Sequence, residues 1–300
     1  MGFDTTGLSE YVQNNSTAIA TKAVASAKTA KMLIDSKNFQ AGVKGSAAVK
    51  KMSQDIAFTD ASSCGRTANG STKLSAAKIV VAPIAENSNI CPATLWNTYF
   101  ADMISKGQNP EETLITEFAS AITDDRAVAI AAGVENLLWN GDTDSSDANL
   151  DKIDGIVKQM AASTGSTLTA TGSDIIAKLQ NIYSQIPVAI RKSADFKMFL
   201  GEDDYDSYLI ALANNNIFKP TDDFTLYGTT AKLEPVSGLN ESGDVYAMRL
   251  SNLQLGMDGE ADSTKASMEY SNETKQWYLD FAFAVGVTVV DPTEAYVASL

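Results

Sequence analysis

The 300-residue sequence predicts an α+β fold, and three observations carry that prediction. Apolar residues recur at threes and fours from Glu111 to about Trp139, the period of one long helix. Beyond Asn216 nearly every stretch reads as β. The last, QWYLDFAFAVGVTVV, alternates so that Trp277, Leu279, Phe281, Phe283, Val285, Val287 and Val289 share a face. Between residues 49 and 82, two strand-capable runs flank a Gly/Ser-rich loop. With 44% hydrophobic and 20% charged residues the composition is globular, and 300 residues can bury the core of one large or two ordinary domains.

Taken in order, residues 1–43 are rich in Ala, Thr, Ser and Lys. Ser16 to Ser36 can form a helix, but its apolar face is thin: Ile19, Val24, Leu33 and Ile34. Such a segment reads as an arm that packs on something other than its own core, with a disordered terminus as the alternative. Val49–Thr59 and Lys73–Ala82 read as a hairpin turned at Asn69-Gly70, since both turn residues accept positive φ. Neither strand is very hydrophobic, and an isolated two-stranded hairpin is marginal in water, so its stability is expected to come from a partner. CPATLWNTYFADMIS predicts a short helix with Pro92 at its start and Leu95, Trp96, Tyr99 and Met103 on one face.

The long helix follows Asn109-Pro110 and places Leu114, Ile115, Phe118, Ile122, Ala129, Gly133 and Leu137 on its apolar stripe. It is a rod of roughly 40 Å at 1.5 Å per residue and stops at Asn140-Gly141. GIVKQM then reads as a strand, and Ser173–Gln185 as a helix capped by Ser173 with Ile175, Ile176, Leu179 and Ile182 inward. VAIRKSADFKMFL reads as a strand with a turn, EDDYDSYLIALANNN as a helix, and LYGTTAKLEPV, DVYAMRLSNLQLGM and KASMEY as strands.

The chemistry is narrow. There is no histidine, which excludes Ser-His-Asp and Cys-His machinery and every His-containing metal site. Cys64 and Cys91 are too few for a disulfide framework or a four-cysteine zinc site. Cys64 beside Gly65-Arg66 has no base to activate it, and Cys91 reads as an apolar filler. Asp142, Asp144 and Asp147 suggest calcium, but Asp147 stands where an EF-hand needs Gly and Ile153 where it needs Glu, so a solvated loop is expected. Glu111-Glu112, Asp124-Asp125 and Asp203-Asp204 are sequence neighbours, which point about 100° apart on a helix and make poor acid/base dyads. Trp96, Trp139 and Trp277 read as core, and the sequons at Asn69 and Asn272 as chance matches. Neither P-loop nor GxGxxG is present. No catalytic, cofactor-binding or metal-binding residue is therefore nominated, and no cofactor is expected.

The net charge of −14 argues against binding nucleic acid through phosphate contacts. No 18-residue apolar run is present, so no membrane span is expected, and the opening residues lack a secretory pattern.

The order of these pieces resembles the major capsid protein of tailed bacteriophages, the Hong Kong 97-type fold that encapsulins share. Two stretches carry the resemblance. Glu135-Asn136-Leu137-Leu138-Trp139-Asn140-Gly141 followed by Asp154-Gly155-Ile156-Val157 is similar to the family's helix-end junction. The closing strand into Asp291-Pro292-Thr293-Glu294-Ala295 is similar to its C-terminal strand and Pro turn. Many relatives carry arginines in that strand, where this chain has Asp280, Ala282 and Ala284.

The resemblance implies an N-terminal arm (1–43), an extended hairpin loop (44–88), a peripheral domain (89–160, spine helix 111–139), an axial domain (161–240) and a β-rich return to the peripheral domain (241–300). It implies a structural, non-enzymatic subunit that self-assembles as pentamers and hexamers into the icosahedral head of a tailed phage. That head would form in the bacterial cytoplasm and enclose double-stranded DNA without reading its sequence. A portal and a separate scaffold or decoration protein are the implied partners, since no long charged helical extension precedes the arm. Some relatives join a hairpin Lys to a neighbour's Asn. Here Lys50, Lys51, Lys73 and Lys78 are candidates by location only, and one denatured band near 32 kDa is expected. The alternatives are an encapsulin shell, or a soluble acidic α+β enzyme or ligand-binding protein.

Overall fold

A computed structural model describes residues 12, 15–58, 70–91, 113–162, 167–220, 223–258, 265–274 and 276–300. In chain order the elements are α1 (Ser16–Ala25), α2 (Lys28–Asp35), β1 (Phe39–Ala41), β2 (Ser46–Asp55), β3 (Ser71–Val80), β4 (Ala82–Ile90), α3 (Thr113–Asn140), α4 (Ile156–Ala161), α5 (Ile175–Gln185) and α6 (Val188–Arg191). There follow β5 (Phe196–Gly201), α7 (Glu202–Asn214), β6 (Lys232–Val236), β7 (Asp244–Arg249), β8 (Leu253–Asp258), β9 (Lys265–Ser271), β10 (Gln276–Val289) and β11 (Tyr296–Ser299). The predicted 92–103 helix, Cys64 to Arg66, Asn69 of the turn and the helix start at Glu111 lie outside the described residues.

β10 organises a five-stranded sheet of order β1-β8-β10-β4, in which β9 also pairs with β10. The alternation read from the sequence holds: the seven residues from Trp277 to Val289 are all buried. With α1, α2 and the inner face of α3 they form the first core. The second core lies where α5 and α7 pack on a four-stranded sheet of order β11-β7-β5-β6. Side chains alternate across that sheet, so Met198, Leu200, Val245 and Ala247 face the second core while Phe199, Tyr246 and Met248 reach the first. Trp139, at the end of α3 and fully buried, joins the first core to the back of the second sheet: its ring lies 5.3 Å from that of Phe199 and 5.7 Å from that of Tyr246.

Several expectations are corrected. Residues 16–35 do not await a separate partner; they are two helices packed on α3 and the first sheet. Ala20, Ala23, Ala27, Ala30 and Leu33 are buried, and this small-residue stripe lets backbones approach closely where large side chains would be counted as missing. GIVKQM is helix, not strand: Ile156 and Met160, four apart, are its buried residues. The cap of α5 is Asp174, whose Oδ1 accepts the Ala177 N–H at 2.8 Å, not Ser173. VAIR is a single helical turn, α6, and only Phe196–Gly201 is strand.

DVYAMRLSNLQLGM is two strands in different sheets, divided by a 3-10 turn at Leu250–Asn252. Residues 82–88, grouped with the hairpin in the sequence, form most of β4 against β10. Likewise 244–249 and 296–299 sit in the second sheet rather than returning to the first. On α3, Ala129 and Gly133 are exposed; Leu137 is buried as expected, with Ala127, Ile130, Ala131, Val134 and Leu138.

Candidate assembly surfaces

Among the described residues β2 and β3 pair only with each other, in unbroken antiparallel register from Ser46↔Val80 to Asp55↔Ser71. The base of this hairpin is built into the body. Val49, Ile79 and Val81 cluster with Val43 and Ala284 of β10. Beneath them Gly286 and its cross-strand partner Gly256 form a platform without side chains. A Cβ on Gly286 would overlie the Val80 carbonyl, 2.8 Å from its carbon and 3.1 Å from Val81 Cα, so the crossing chain demands glycine. The Lys51 ammonium pairs with the Asp291 carboxylate where β10 ends. Past this point nothing among the described residues covers the hairpin. Met52 and Leu74, directly opposite one another, are 61% and 78% exposed, and Phe58 is 95% exposed. This agrees with the expectation of an extended hairpin rather than a core one.

A second feature ties the N-terminal helices to α3. The Glu135 carboxylate is 2% exposed; it accepts the Thr29 N–H at 2.8 Å and the Thr29 hydroxyl at 2.6 Å. That hydroxyl in turn accepts the Trp139 indole N–H at 2.9 Å. Burial raises the pKa of Glu135, and the Thr29 hydrogen bonds oppose the rise. No reading of the sequence nominated this trio. Its signal was a Glu within the apolar end of a long helix and a Thr within an alanine stripe.

The acidic loop after α3 is closed by protein groups. Lys158 Nζ lies 2.5 Å from Asp142, 2.7 Å from Asp144 and 2.8 Å from Asp154. Its hydrogen bond holds the Asp142 pKa low. At Asp154, burial opposes ionisation, but Lys158 and Thr143 outweigh it and that pKa is lowered too. The Lys158 pKa is raised by the same three bonds. Asp147 instead turns the backbone, accepting the Asn149 N–H at 2.9 Å. The loop ends meet where the Gly155 N–H donates to the Gly141 carbonyl at 2.8 Å, and a Cβ on Gly155 would lie 2.7 Å from Gly141 N. The helix-end junction in the sequence is therefore a backbone contact between two glycines.

The remaining candidates are dispersed. Asp124 pairs with Lys22 at 3.1 Å, on the surface. Asp204 has its pKa raised by burial and by Asp203 and Asp244, while Asp203 accepts the Glu241 N–H at 2.9 Å. Cys91 is half-buried after β4, and Trp277 is 3% exposed. Lys50 and Lys78 are exposed on the hairpin, whereas Lys51 is engaged with Asp291. A shallow cleft of about 400 Å³ between α3 and β4 has Glu86 and Arg126, 3.6 Å apart, among its polar groups. Among the described residues no cluster of three or more acids or cysteines is placed to hold a metal ion, and no helix is long and apolar enough to cross a membrane.

No protein-family model and no curated protein matches the chain. Solved structures do. The chain is similar to one from the procapsid of satellite phage P4 that includes the size determination (Sid) protein: 13% identity, 94% of this chain and 89% of that one covered, TM-score 0.61. It is similar to the capsid asymmetric unit of cyanophage A-1(L), at 9% identity over 91% and 92% of the two chains, with a TM-score of 0.60. For the capsid of an empty GTA particle the values are 11%, 89% of each chain and 0.54.

Proposed function

We propose, from the Hong Kong 97-type capsid fold that this chain has, that it is the major capsid protein of a tailed double-stranded DNA phage. On this reading many copies close into an icosahedral head of pentamers and hexamers. The single observation that carries the reading is the match to capsid chains over about nine-tenths of this chain, at TM-scores of 0.61 and 0.60. The hairpin supports it: a two-stranded ribbon with apolar residues in water is marginal by itself and gains stability when a neighbouring subunit covers it. In this assignment α3 is the spine of the peripheral domain, the second core is the axial domain, and β2–β3 is the extended loop.

The partners follow from the same reading. A portal would occupy one vertex, and scaffold or decoration would come from separate chains. Packaged DNA would meet a wall whose net charge of −14 resists tight phosphate binding. Assembly would take place in the bacterial cytoplasm, with the protein ending in the virion.

Electron microscopy of the expressed protein tests the proposal. Closed shells with five- and sixfold capsomers are expected, and a dispersed 32 kDa monomer under all assembly conditions refutes it. Nuclease-protected DNA in particles from infected cells separates a phage head from an encapsulin shell, which would instead hold a peptide-tagged enzyme.

A further inference from the structure

α2 begins without a cap of its own: Ala27 precedes it and supplies no side-chain hydrogen bond. The cap comes from α3. Glu135 Oε2 accepts the N–H of Thr29, in the first turn of α2, and Oε1 accepts the Thr29 hydroxyl. The carboxyl group therefore sits on the positive end of that helix. Both bonds cross the boundary between the N-terminal helices and the body, and Thr29 alone supplies them. Much of that boundary is small: Ala23, Ala27 and Ala30 are buried in it, side chains that each bring little apolar area. Downstream the chain is pinned. Asn38 Nδ2 donates to the Leu250 carbonyl at 3.0 Å and β1 pairs with β8, which leaves Lys37, left-handed at φ 60°, as the pivot.

Lys28 faces the carboxyl group from α2, but its ammonium donates to the Pro235 carbonyl. Lys31 and Asp35 of α2 are exposed, and Lys22 of α1 pairs with Asp124. The 3-10 turn Ser237–Leu239 brings no titratable group, and Tyr246 of β7 stays neutral, its pKa pushed up to about 12 by burial. The neutral acid fits the same geometry. Its O–H can donate to Thr29 Oγ1 while the other oxygen keeps the Thr29 N–H.

We infer that α1 and α2 form a strap that closes on α3 under the control of Glu135: the neutral acid holds it shut, and the carboxylate favours its opening about Lys37. Closing buries Glu135 to 2% exposure, and opening returns it to water. Burial raises the Glu135 pKa against the opposing Thr29 bonds, so the closed strap holds the proton more tightly than the open one. Closure therefore weakens as pH rises from 4.5 through the raised value, by at most about tenfold per pH unit, and levels off above it. The device belongs to the single chain and does not depend on the shell reading.

Hydrogen exchange of the full-length chain between about pH 5 and pH 8 tests this, each rate divided by the unstructured-peptide rate at that pH. Opening of residues 16–35 should be at least about threefold rarer at the acid end, a change that β8 and β10 do not follow. Glu135→Gln keeps an acceptor for the Thr29 N–H and carries no charge. It should be pH-independent and as protected as the parent at the acid end. Thr29→Val removes the hydroxyl bond that favours the carboxylate, so its transition should move to higher pH. That variant keeps the test decisive if the glutamine variant loses its native fold.

N-terminal helices that exchange only when β10 does, with no opening of their own, overturn the inference. So does a glutamine variant that keeps the parent's pH dependence, a valine variant whose transition stays in place, or a parent strap that opens more at the acid end. A chain that never forms particles refutes the shell reading and leaves this inference standing.

Discussion

Replacing Gly286 with alanine places a Cβ on the Val80 carbonyl, 2.8 Å from its carbon and 3.1 Å from Val81 Cα. These are backbone atoms, so no rotamer relieves the overlap. Either β10 or the hairpin base must move. β10 is paired on both sides, with β4 and with β8 and β9, and its other face holds Phe283, Val285 and Val287 in the first core. The base is held by a small cluster around Val49, Ile79 and Val81 and by the Lys51–Asp291 pair. The base is the weaker side. Lifting it half-exposes three buried aliphatic side chains worth about 1.5–3 kcal/mol each when fully buried, a cost of about 3 kcal/mol.

That is about a hundredfold in the local opening equilibrium. Hydrogen exchange reads it directly: amides of residues 46–49 and 77–81 should exchange about a hundredfold faster in Gly286→Ala, while those of β8 and β10 keep their protection. Gly256→Ala is the control. The nearest atoms to its Cβ are side-chain atoms, Val81 Cγ2 at 2.7 Å and Ile79 Cδ1 at 2.8 Å, which can rotate, so its effect should stay below about 1.5 kcal/mol. Unchanged exchange at the hairpin base, or a Gly256 variant worse than the Gly286 variant, would refute the platform.

Trp139→Ala should cost about 4 kcal/mol in urea unfolding, because it empties the first core where α3 meets the second sheet, whereas Trp139→Phe should lose about 1–2 kcal/mol with the bond to Thr29. Burial raises Glu135 above the ordinary glutamate value of 4.5, so the folded chain holds that proton more tightly than the unfolded one. Its contribution to stability therefore falls as pH rises from 4.5 through the raised value, and a Glu135→Gln pH–stability profile should lack that slope. Asp142 and Asp154 act in the opposite sense: their contribution is full above 3.8 and is lost as pH falls through their lowered values. Lys158→Met should erase that acid-side loss and speed amide exchange at Thr143 and Asp144, and an unchanged acid limb would show that the loop is held otherwise.

Periodicity made the largest elements legible. β10 alternates cleanly because one face lies wholly in the core, and α3 stops at Asn140 with Gly141 next, as read. Elements were missed where a local signal competes with tertiary context. Ile156 and Val157 are β-branched, yet their segment is helical because Ile156 and Met160 bury one face of it. The N-terminal helices were undervalued because alanine contributes little to an apolar count but much to close packing. β4 was hidden by Pro83, Glu86, Asn87 and Asn89, residues that suit a sheet edge and spoil a hydrophobic run. Nothing local announces that Asp244–Arg249 and Leu253–Asp258 belong to different sheets. Asn252, at that switch, is fixed by long-range bonds to the backbone of Asp291. The hairpin was legible as a surface element, but the Gly286 platform and the Glu135–Thr29–Trp139 tie depend on residues more than 100 positions apart.

We propose that this chain builds a closed shell by contact with copies of itself. A subnanometre reconstruction of particles purified from cells expressing the chain tests that most directly. Pentamers and hexamers of this fold are expected. Homogeneous monomers, or particles whose walls hold no density for this fold, would contradict it.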